Sequence, residues 1–440
     1  MSSLSPAIHS RSTSRSSHND RLNSEFRKLW VGQAISAVGS QVTQVALPLT
    51  AALTLGASAQ QMGYLVAAGW LPYLLFSLFF GAWSDRLPRR PIMIATDVGR
   101  ALVLLTIPLA AFAGVLCIEH VLVVAFIAGA LTVLFQSAYR PFIPTLVGRE
   151  ALVDANSKIA VTESAARVAG PSLGGLLISL LTAPIAILVD AMSFLVSAAA
   201  VMLVRADDQA PPRSERRSIW KEIGEGIAIV ARQPFIRAVT LIGLIFNVTI
   251  TIGDAVYILY ATRVLGLDAA IIGGVFTVGG VASVVGATLV RRTTDRFGIG
   301  PSMAGSIFLI ALSWSLVLAA AGPPIVAAVY LAGRSVLAAF GAATFNVTSS
   351  SVAQAAIPPR LQGRVGGAGQ VLGLGMIPIA AVAGGWLGEH VGLWNTLAIS
   401  LAGQLLGLVY VVASPLRRIR TAADLAPVTP SPAAPSSARP

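Results

Sequence analysis

Charged residues are scarce in this chain of 440 amino acids, since Asp, Glu, Lys and Arg together make up only 11%. Soluble domains carry about 25%, so these side chains cannot cover the surface of a water-soluble globule. Apolar residues make up 55% of the sequence. Because a helix needs about 20 residues to cross a bilayer, this composition is enough for about twelve crossings. The sequence therefore predicts a helical integral membrane protein.

Cysteine and lysine are nearly absent, and each absence excludes a class of chemistry. The single cysteine, Cys117, excludes an intrachain disulfide and a thiolate metal cage. The three lysines are followed by Leu, Ile and Glu, so the chain has no Gly-Lys-Ser/Thr loop for ATP. The four histidines lack metal-ligand spacing, and no Gly-x-Ser-x-Gly elbow is present. We expect no enzymatic activity, no cofactor and no metal.

The net charge of +12 does not indicate nucleic-acid binding, because the basic residues are spread between apolar segments without interleaved aromatics. They concentrate at the termini and in every second connection, such as Arg86–Arg90 and Arg291–Arg296. The alternate connections carry almost none, and Arg263 is the exception. The positive-inside rule therefore predicts that both termini face the cytoplasm. We expect a multi-pass protein of the cytoplasmic membrane.

The apolar segments divide the chain into two sets of six predicted helices. They lie at residues 28–54, 62–83, 91–114, 121–143, 157–181, 184–204, 235–260, 269–290, 301–321, 325–346, 366–388 and 391–413. This places bundles at 26–204 and 235–413, joined by a cytoplasmic linker at 205–234 in which Ile219–Val230 predicts an amphipathic surface helix. Residues 1–25 and 414–440 are expected to be a disordered arm and tail. Gly63 and Gly273, 210 residues apart, indicate a weak internal repeat.

Two motifs carry a resemblance to a known family. After the second predicted helix stands Gly81-Ala-Trp-Ser-Asp85-Arg86-Leu-Pro-Arg89-Arg90, which resembles the Gly-x-x-x-Asp-Arg-x-Gly-Arg-Arg loop of the major facilitator superfamily, with proline where glycine is usual. The fifth helix contains Gly170-Pro171-Ser-Leu-Gly174-Gly175, which is similar to the end of the superfamily's antiporter motif, although its upstream glycines are replaced. The wider run 154–175, with Asp190–Phe194, resembles the branch of enterobactin-type exporters and macrolide-efflux-like carriers.

The resemblance implies the major facilitator fold: an all-α membrane protein with twelve transmembrane helices in two pseudo-symmetric six-helix bundles. It also implies a monomer. The first motif is expected to latch the cytoplasmic side between the halves, with Gly81 permitting close helix approach and the arginines held at anionic lipid headgroups. The second motif implies antiport. The competing interpretations are charges that only fix topology and glycines that only pack helices. No proton-relay arginine motif is recognisable in the fourth helix.

Seven ionisable residues fall inside predicted helices. Because a charge inside the membrane is costly, each one is expected to have an ion-pair partner, contact with water or a functional role. Asp97 and Arg100, three residues apart, predict a structural ion pair. Glu163, Arg167, Gly170 and Gly174 share one stripe of the fifth helix, and we expect this stripe to meet the other half. Glu163 and Arg167 are therefore either a proton-coupled switch or a permanent salt bridge.

A second candidate pair joins the seventh and tenth helices. Asp254 and Arg334 lie at similar depths, within side-chain reach, and an anionic cargo that takes Arg334 would free Asp254 to bind a proton. The alternative is an inert interhelical pair. The substrate-binding candidates beside it are Asn247 and Tyr330. The first helix adds a polar stripe of Gln33, Ser36, Ser40 and Gln44.

These residues predict a carrier that exports a small organic molecule, such as a drug or a siderophore-like compound, in exchange for protons by alternating access. Its partners are the substrate, protons and the lipid bilayer. One alternative is a metabolite uptake carrier of the same fold. The other is a transport-dead membrane sensor or assembly partner, which need not retain seven costly intramembrane charges.

Overall fold

The computed structural model describes residues 7–84, 86–148, 151–205, 219–357, 359–421 and residue 424, and these residues are almost entirely helical. Twelve of the described helices have 21 residues or more, and the shorter α7 (Ile219–Arg232) lies between the sixth and seventh of them. Within these described ranges, nine spans are both long and apolar enough to cross a membrane. The long helices are α1 (Ala7–Leu49), α2 (Ala59–Ser84), α3 (Arg89–Phe112), α4 (Ile118–Val147), α5 (Leu152–Leu180), α6 (Ala183–Leu203), α8 (Pro234–Leu259), α9 (Ala269–Phe297), α10 (Ile299–Ala319), α11 (Pro324–Ala356), α12 (Pro359–His390) and α13 (Leu393–Ala413).

The two halves repeat each other down to their turns. Both α1 and α8 run into one turn of π-helix, at Thr50–Thr54 and Tyr260–Val264. Each π-helical turn is followed by a glycine in the left-handed region, Gly56 with φ of 62° and Gly266 with φ of 65°. Glycine adopts this conformation without the steric cost that a Cβ brings. The 210-residue repeat seen in the sequence is therefore a repeat of local backbone structure.

Helix packing follows the same pseudo-symmetry. Within the first half α1 packs on α5 and α6, and α2 packs on α4. The second half matches these pairs with α8 on α12 and α13, and α9 on α11. The halves meet along two seams, α2 against α12 and α5 against α9. This arrangement is the two-bundle architecture expected from the sequence.

The apolar core shows where the halves are in contact. We call the end of the bundle with Arg86–Arg90 the basic end, and the end with the turns at Gly56 and Gly266 the charge-poor end. At the charge-poor end one buried cluster combines both halves, from Leu49 and Ile187 to Leu259. At the basic end the described residues form separate cores, one for the first half and two for the second. The halves are therefore packed together at the charge-poor end and divided at the basic end.

Both terminal segments differ from the expectation of disorder. Helix α1 begins at Ala7, because no glycine or proline interrupts the sequence between Pro6 and the first apolar run. After α13 the chain forms a 3-10 turn, Pro415–Arg418, with Leu416 fully buried. The Gly300 N–H donates to the Ile419 carbonyl at 2.8 Å, which ties this segment to the start of α10. Residues 425–440 lie outside the described chain.

The connection between the halves contains the expected helix. Helix α7 covers Ile219–Arg232, two residues longer than the interval predicted to be amphipathic. It packs on α12 and α8, and Val230 is buried with Ile236, Ile357 and Val365. Its last turn is therefore anchored to the second half by apolar contacts.

Candidate functional site

At each seam between the halves, two helices cross where a glycine of one faces a glycine of the other. A Cβ added to Gly175 of α5 would lie 2.6 Å from the Ala269 carbonyl oxygen and 2.9 Å from the Gly273 Cα on α9. A Cβ on Gly385 of α12 would lie 2.9 Å from the Gly63 Cα on α2. The pairs are related by the 210-residue repeat. Because backbone faces backbone, any larger residue at these positions must push the halves apart.

The antiporter-like stretch of α5 is divided between two neighbours. Gly170 faces Gln41 of α1, at 2.3 Å from a built Cβ to the Gln41 Cβ, and Gly174 faces Val42 of α1. Gly175 instead meets α9, and the Pro171 carbonyl oxygen lies 2.6 Å from a built Cβ on Gly273. The expectation that the stripe of Glu163, Arg167, Gly170 and Gly174 meets the other half was wrong for its two glycines, which pack inside their own bundle. The Arg167 carbonyl oxygen does meet the other half, 2.6 Å from a built Cβ on Gly280 of α9.

A cavity of about 310 Å³ opens beside α1 in the first half. Three members of the predicted polar stripe, Gln33, Ser36 and Ser40, line this cavity, together with Glu163 and Arg167 of α5. The Arg167 and Glu163 side chains are 52% and 55% exposed, with Nη1 and Oε2 3.8 Å apart. This is a half-exposed pair and not the buried pair that the sequence suggested. Gln44 is exposed and does not line the cavity; Gln41 does.

Beneath this cavity lies a buried ionic network. Arg100 is in contact with Asp97, and its guanidinium carbon lies 4.0 Å from the Phe194 ring centroid. The second Asp97 oxygen accepts from the Ser197 hydroxyl at 2.6 Å, and Ser197 accepts from the Gln33 amide at 2.7 Å. The structural pair expected between Asp97 and Arg100 is present. Gln33 links this pair to the cavity.

The second half contains the predicted pair between α8 and α11. Arg334 Nη2 donates to Asp254 Oδ1 at 2.9 Å. The Arg334 side chain is 12% exposed, while Asp254 is 49% exposed. The guanidinium lies between two aromatic faces, 4.3 Å from the Tyr257 centroid and 4.6 Å from the Trp314 centroid. Its Nε is buried with no acceptor among the described residues. In this pair the Arg334 guanidinium is held between the two rings, whereas the Asp254 carboxylate is accessible.

The two uncharged substrate-binding candidates of this half lie on the same helices as the Asp254–Arg334 pair but do not bond to it. The Asn247 amide donates to the Gly243 carbonyl of its own helix at 2.9 Å. Tyr330 is half-buried one turn before Arg334 and packs against the core shared by the halves. The structure places both on helices that hold the pair, and their contact with a substrate stays a prediction.

The loop motif after α2 bonds to helix ends of its own half. Arg89 Nη1 donates to the Pro141 carbonyl at 2.9 Å, and Arg90 Nε donates to the Val201 carbonyl at 3.1 Å, near the ends of α4 and α6. Cations favour these positions because helix carboxyl ends carry partial negative charge. Arg86 is exposed, and Asp85 lies outside the described residues. A built Cβ on Gly81 has no described atom within 4 Å, so the expected close helix approach is absent here.

Sequence reasoning missed the aromatic side chains around Arg334. Tyr257 follows Asp254 by three residues, so helical spacing could have placed it on the same face. Trp314 stands on α10 and gives no such signal. Its ring occupies the space that a Cβ on Gly253 would take, 2.4 Å from the ring edge. Glycine at 253 is what lets the indole reach the guanidinium.

Comparison with known proteins supports the resemblance. The model of the Major Facilitator Superfamily matches residues 29–377. The multidrug efflux pump Tap of Mycolicibacterium fortuitum is 28% identical over 403 residues, covering 87% of this chain and 94% of that protein. Macrolide efflux protein A of Streptococcus pyogenes is 26% identical over 223 residues, or 50% of this chain and 55% of that protein. A mutant of the nucleoside transporter NupG has the same fold, with a TM-score of 0.76, 11% identity, and coverage of 88% and 99%.

Proposed function

This chain belongs to the Major Facilitator Superfamily, and on that premise we propose that it exports small organic molecules across the cytoplasmic membrane in exchange for protons. Two relatives with matching sequence are named as a multidrug efflux pump and a macrolide efflux protein. The coverage by Tap extends over both halves of the chain. These relationships support efflux over the uptake of a metabolite, which is the alternative with the same fold.

The observation that carries the proposal is the Asp254–Arg334 pair. Its cation is fixed between two aromatic rings, whereas its carboxylate is half-exposed. Exchange requires that cargo and proton occupy the site in turn, and Asp254 can hold a proton or a polar group of the cargo but not both. While Asp254 is unprotonated, the cargo can bind between the carboxylate and Arg334, and an anionic group on the cargo can bind Arg334. A proton that binds Asp254 from the outside displaces the cargo, and its loss to the cytoplasm restores the pair.

The state of the molecule fits one step of this cycle. If the basic end faces the cytoplasm, as the positive-inside rule predicts, the packed charge-poor end closes the outside and the divided basic end is open inward. The cavity beside Gln33 and Ser40 would then receive cargo from the cytoplasm. Glu163 and Arg167 line that cavity as a loosely joined pair, so they are a second proton-coupling candidate. Export needs this inward-open form to load its substrate.

The test is dye export by cells that express the full chain, with and without an uncoupler. Fluorescein serves as an anionic aromatic probe. We expect wild type to export it in an uncoupler-sensitive manner, and Asp254→Asn and Arg334→Ala to abolish that export at normal expression. Asp295→Asn is the matched control, because Asp295 is 72% exposed in a surface pair with Arg291. Full export by both pair variants would refute the role of the pair. Accumulation of dye by wild type would instead support uptake.

A further inference from the structure

A third intramembrane aspartate, Asp190 of α6, has no part in the pairs described above. It is 2% exposed, on the side of α6 that packs against α1. A Cβ on Gly39 would lie 2.8 Å from Asp190 Oδ1 and 2.3 Å from the Ser193 hydroxyl oxygen. Glycine at position 39 therefore makes the room in which the carboxyl group sits, directly against the backbone of α1.

Neutral hydroxyl groups surround this carboxyl group. The Ser193 hydroxyl donates to Oδ1 at 3.1 Å, and the Ser40 hydroxyl lies 3.4 Å from the same oxygen. Among the ion pairs of the described residues, none includes Asp190. Hydroxyl donors can solvate a carboxyl group in either protonation state, but they do not neutralise a charge.

The charged side chains around Asp190 leave it without a counter-ion of its own. Helix α6 packs against α1, α3 and α5. The α1 sequence has no charged residue between Lys28 and its end, and the Glu163–Arg167 pair on α5 is half-exposed. On α3, Arg100 attracts Asp190 but is already in contact with Asp97. This buried region thus holds two carboxyl groups and one guanidinium.

A buried carboxylate requires a counter-charge or a proton, because an isolated charge is strongly disfavoured away from water. Arg100 can neutralise one of the two aspartates, so a proton is the remaining means of neutralising the second. From these contacts we propose that Asp190 is a proton-binding site of the first half, reached from the cavity through the Ser40 hydroxyl. Ser40 and Arg100 both line that cavity. The site is distinct from Asp254, which lies on α8 in the other half.

The site is also placed to respond to cargo. Ser40 belongs to the stripe of α1 that lines the cavity, and Gln33 of the same stripe bonds through Ser197 to Asp97. When Asp190 loses its proton, its charge competes with Asp97 for Arg100, and a shift of Arg100 changes one wall of the cavity. This role in transport rests on the proposed function, whereas proton binding at Asp190 does not.

The experiment is infrared spectroscopy of the purified full-length chain in lipid, titrated from mildly basic to mildly acidic buffer. We expect a buried carboxylic-acid band that Asp190→Asn removes and that Asp295→Asn, at an exposed surface position, leaves intact. Asp190→Glu keeps a carboxyl group and should retain the band at a shifted frequency, which guards against misfolding of the asparagine variant. A wild-type band whose intensity is undiminished in Asp190→Asn, or its absence from wild type, would overturn the proposal.

Dye transport gives the second readout. In vesicles, Asp190→Asn should lose the acceleration of fluorescein movement by an imposed pH difference while retaining exchange of dye at equal pH. Equal acceleration in Asp190→Asn and wild type would contradict the coupling role. If wild type moves no fluorescein but shows the band, the proton site stands and the proposed function fails.

Discussion

Substitution of Gly175, where α5 crosses α9, should shift the equilibrium between the forms closed and open at the charge-poor end. A methyl group at this position would lie 2.6 Å from a carbonyl oxygen and 2.9 Å from the Gly273 Cα, and neither backbone atom can rotate away. Overpacking of this kind costs about 1–3 kcal/mol, and the cost applies only while α5 and α9 are in contact. A difference of about 1–3 kcal/mol corresponds to a 5–150-fold change in population. We expect Gly175→Ala to open the charge-poor end.

Distances between spin labels across this seam measure the change. The exposed native Cys117 is replaced by serine, and labels are placed on Thr182 and Ala270, which are exposed on opposite sides of the seam. Gly175→Ala should shift the distance distribution toward longer values. Gly274→Ala is the matched control on α9, because its added methyl would meet no described atom within 4 Å. An unchanged distribution in Gly175→Ala, or an equal shift in the control, would refute the reasoning.

Two further predictions follow from single contacts. Arg263 Nη2 donates to the Ala57 carbonyl at 2.7 Å across the halves, so Arg263→Gln should also populate the form open at the charge-poor end. Since the bond is partly exposed, we expect its loss to shift this equilibrium by about 1 kcal/mol or less. Unchanged distances between the spin labels would contradict this prediction. Leu416 is fully buried after α13, so Leu416→Ala should cost about 2–5 kcal/mol and lower the melting temperature, whereas the exposed Arg417→Ala should not. Equal melting temperatures would show that this turn does not stabilise the fold.

The helical fold and the pairing of charges could be predicted from the sequence because both depend on position along the helix axis. Asp254 and Arg334 meet at 2.9 Å as their similar depths indicated. The same is true of Asp97 and Arg100, which are three residues apart on one helix. Apolar run length fixes where a helix begins and ends, and the rise per residue fixes depth. These quantities need no knowledge of neighbouring helices.

Helix orientation about its own axis could not be predicted in the same way. Spacing places Gly170 and Gly174 on one face of α5 but does not say that this face meets α1. The cavity likewise takes in Gln41 and leaves out Gln44, because the rotation of α1 is set by its packing against α5 and α6. Trp314 reaches Arg334 from a helix 20 residues away in sequence. Contacts of this kind depend on tertiary packing, and no periodic pattern in the sequence predicts them.

The segment after the last long helix shows a second limit of prediction from sequence. The proline-rich composition after residue 413 predicted disorder, yet Leu416 and Ile419 are buried against the start of α8 and α10. Two apolar residues in a basic stretch are too few for a periodic pattern, although they are enough to fill a gap between helix ends. Composition averages over a window and misses such single anchoring side chains.

The most direct test of the central claim uses purified protein in sealed vesicles with an imposed pH difference and fluorescein as the probe. A proton-coupled carrier with a charged central site moves the dye against its concentration gradient while the pH difference lasts, and stops when an uncoupler is added. A pH difference of about two units supplies roughly 2.7 kcal/mol per proton, because each unit is worth about 1.36 kcal/mol, so accumulation of about a hundredfold is within reach of one proton per cycle. We predict such uncoupler-sensitive movement for wild type and its loss in Asp254→Asn. Movement that ignores the pH difference, or that is unchanged in Asp254→Asn, would contradict the account.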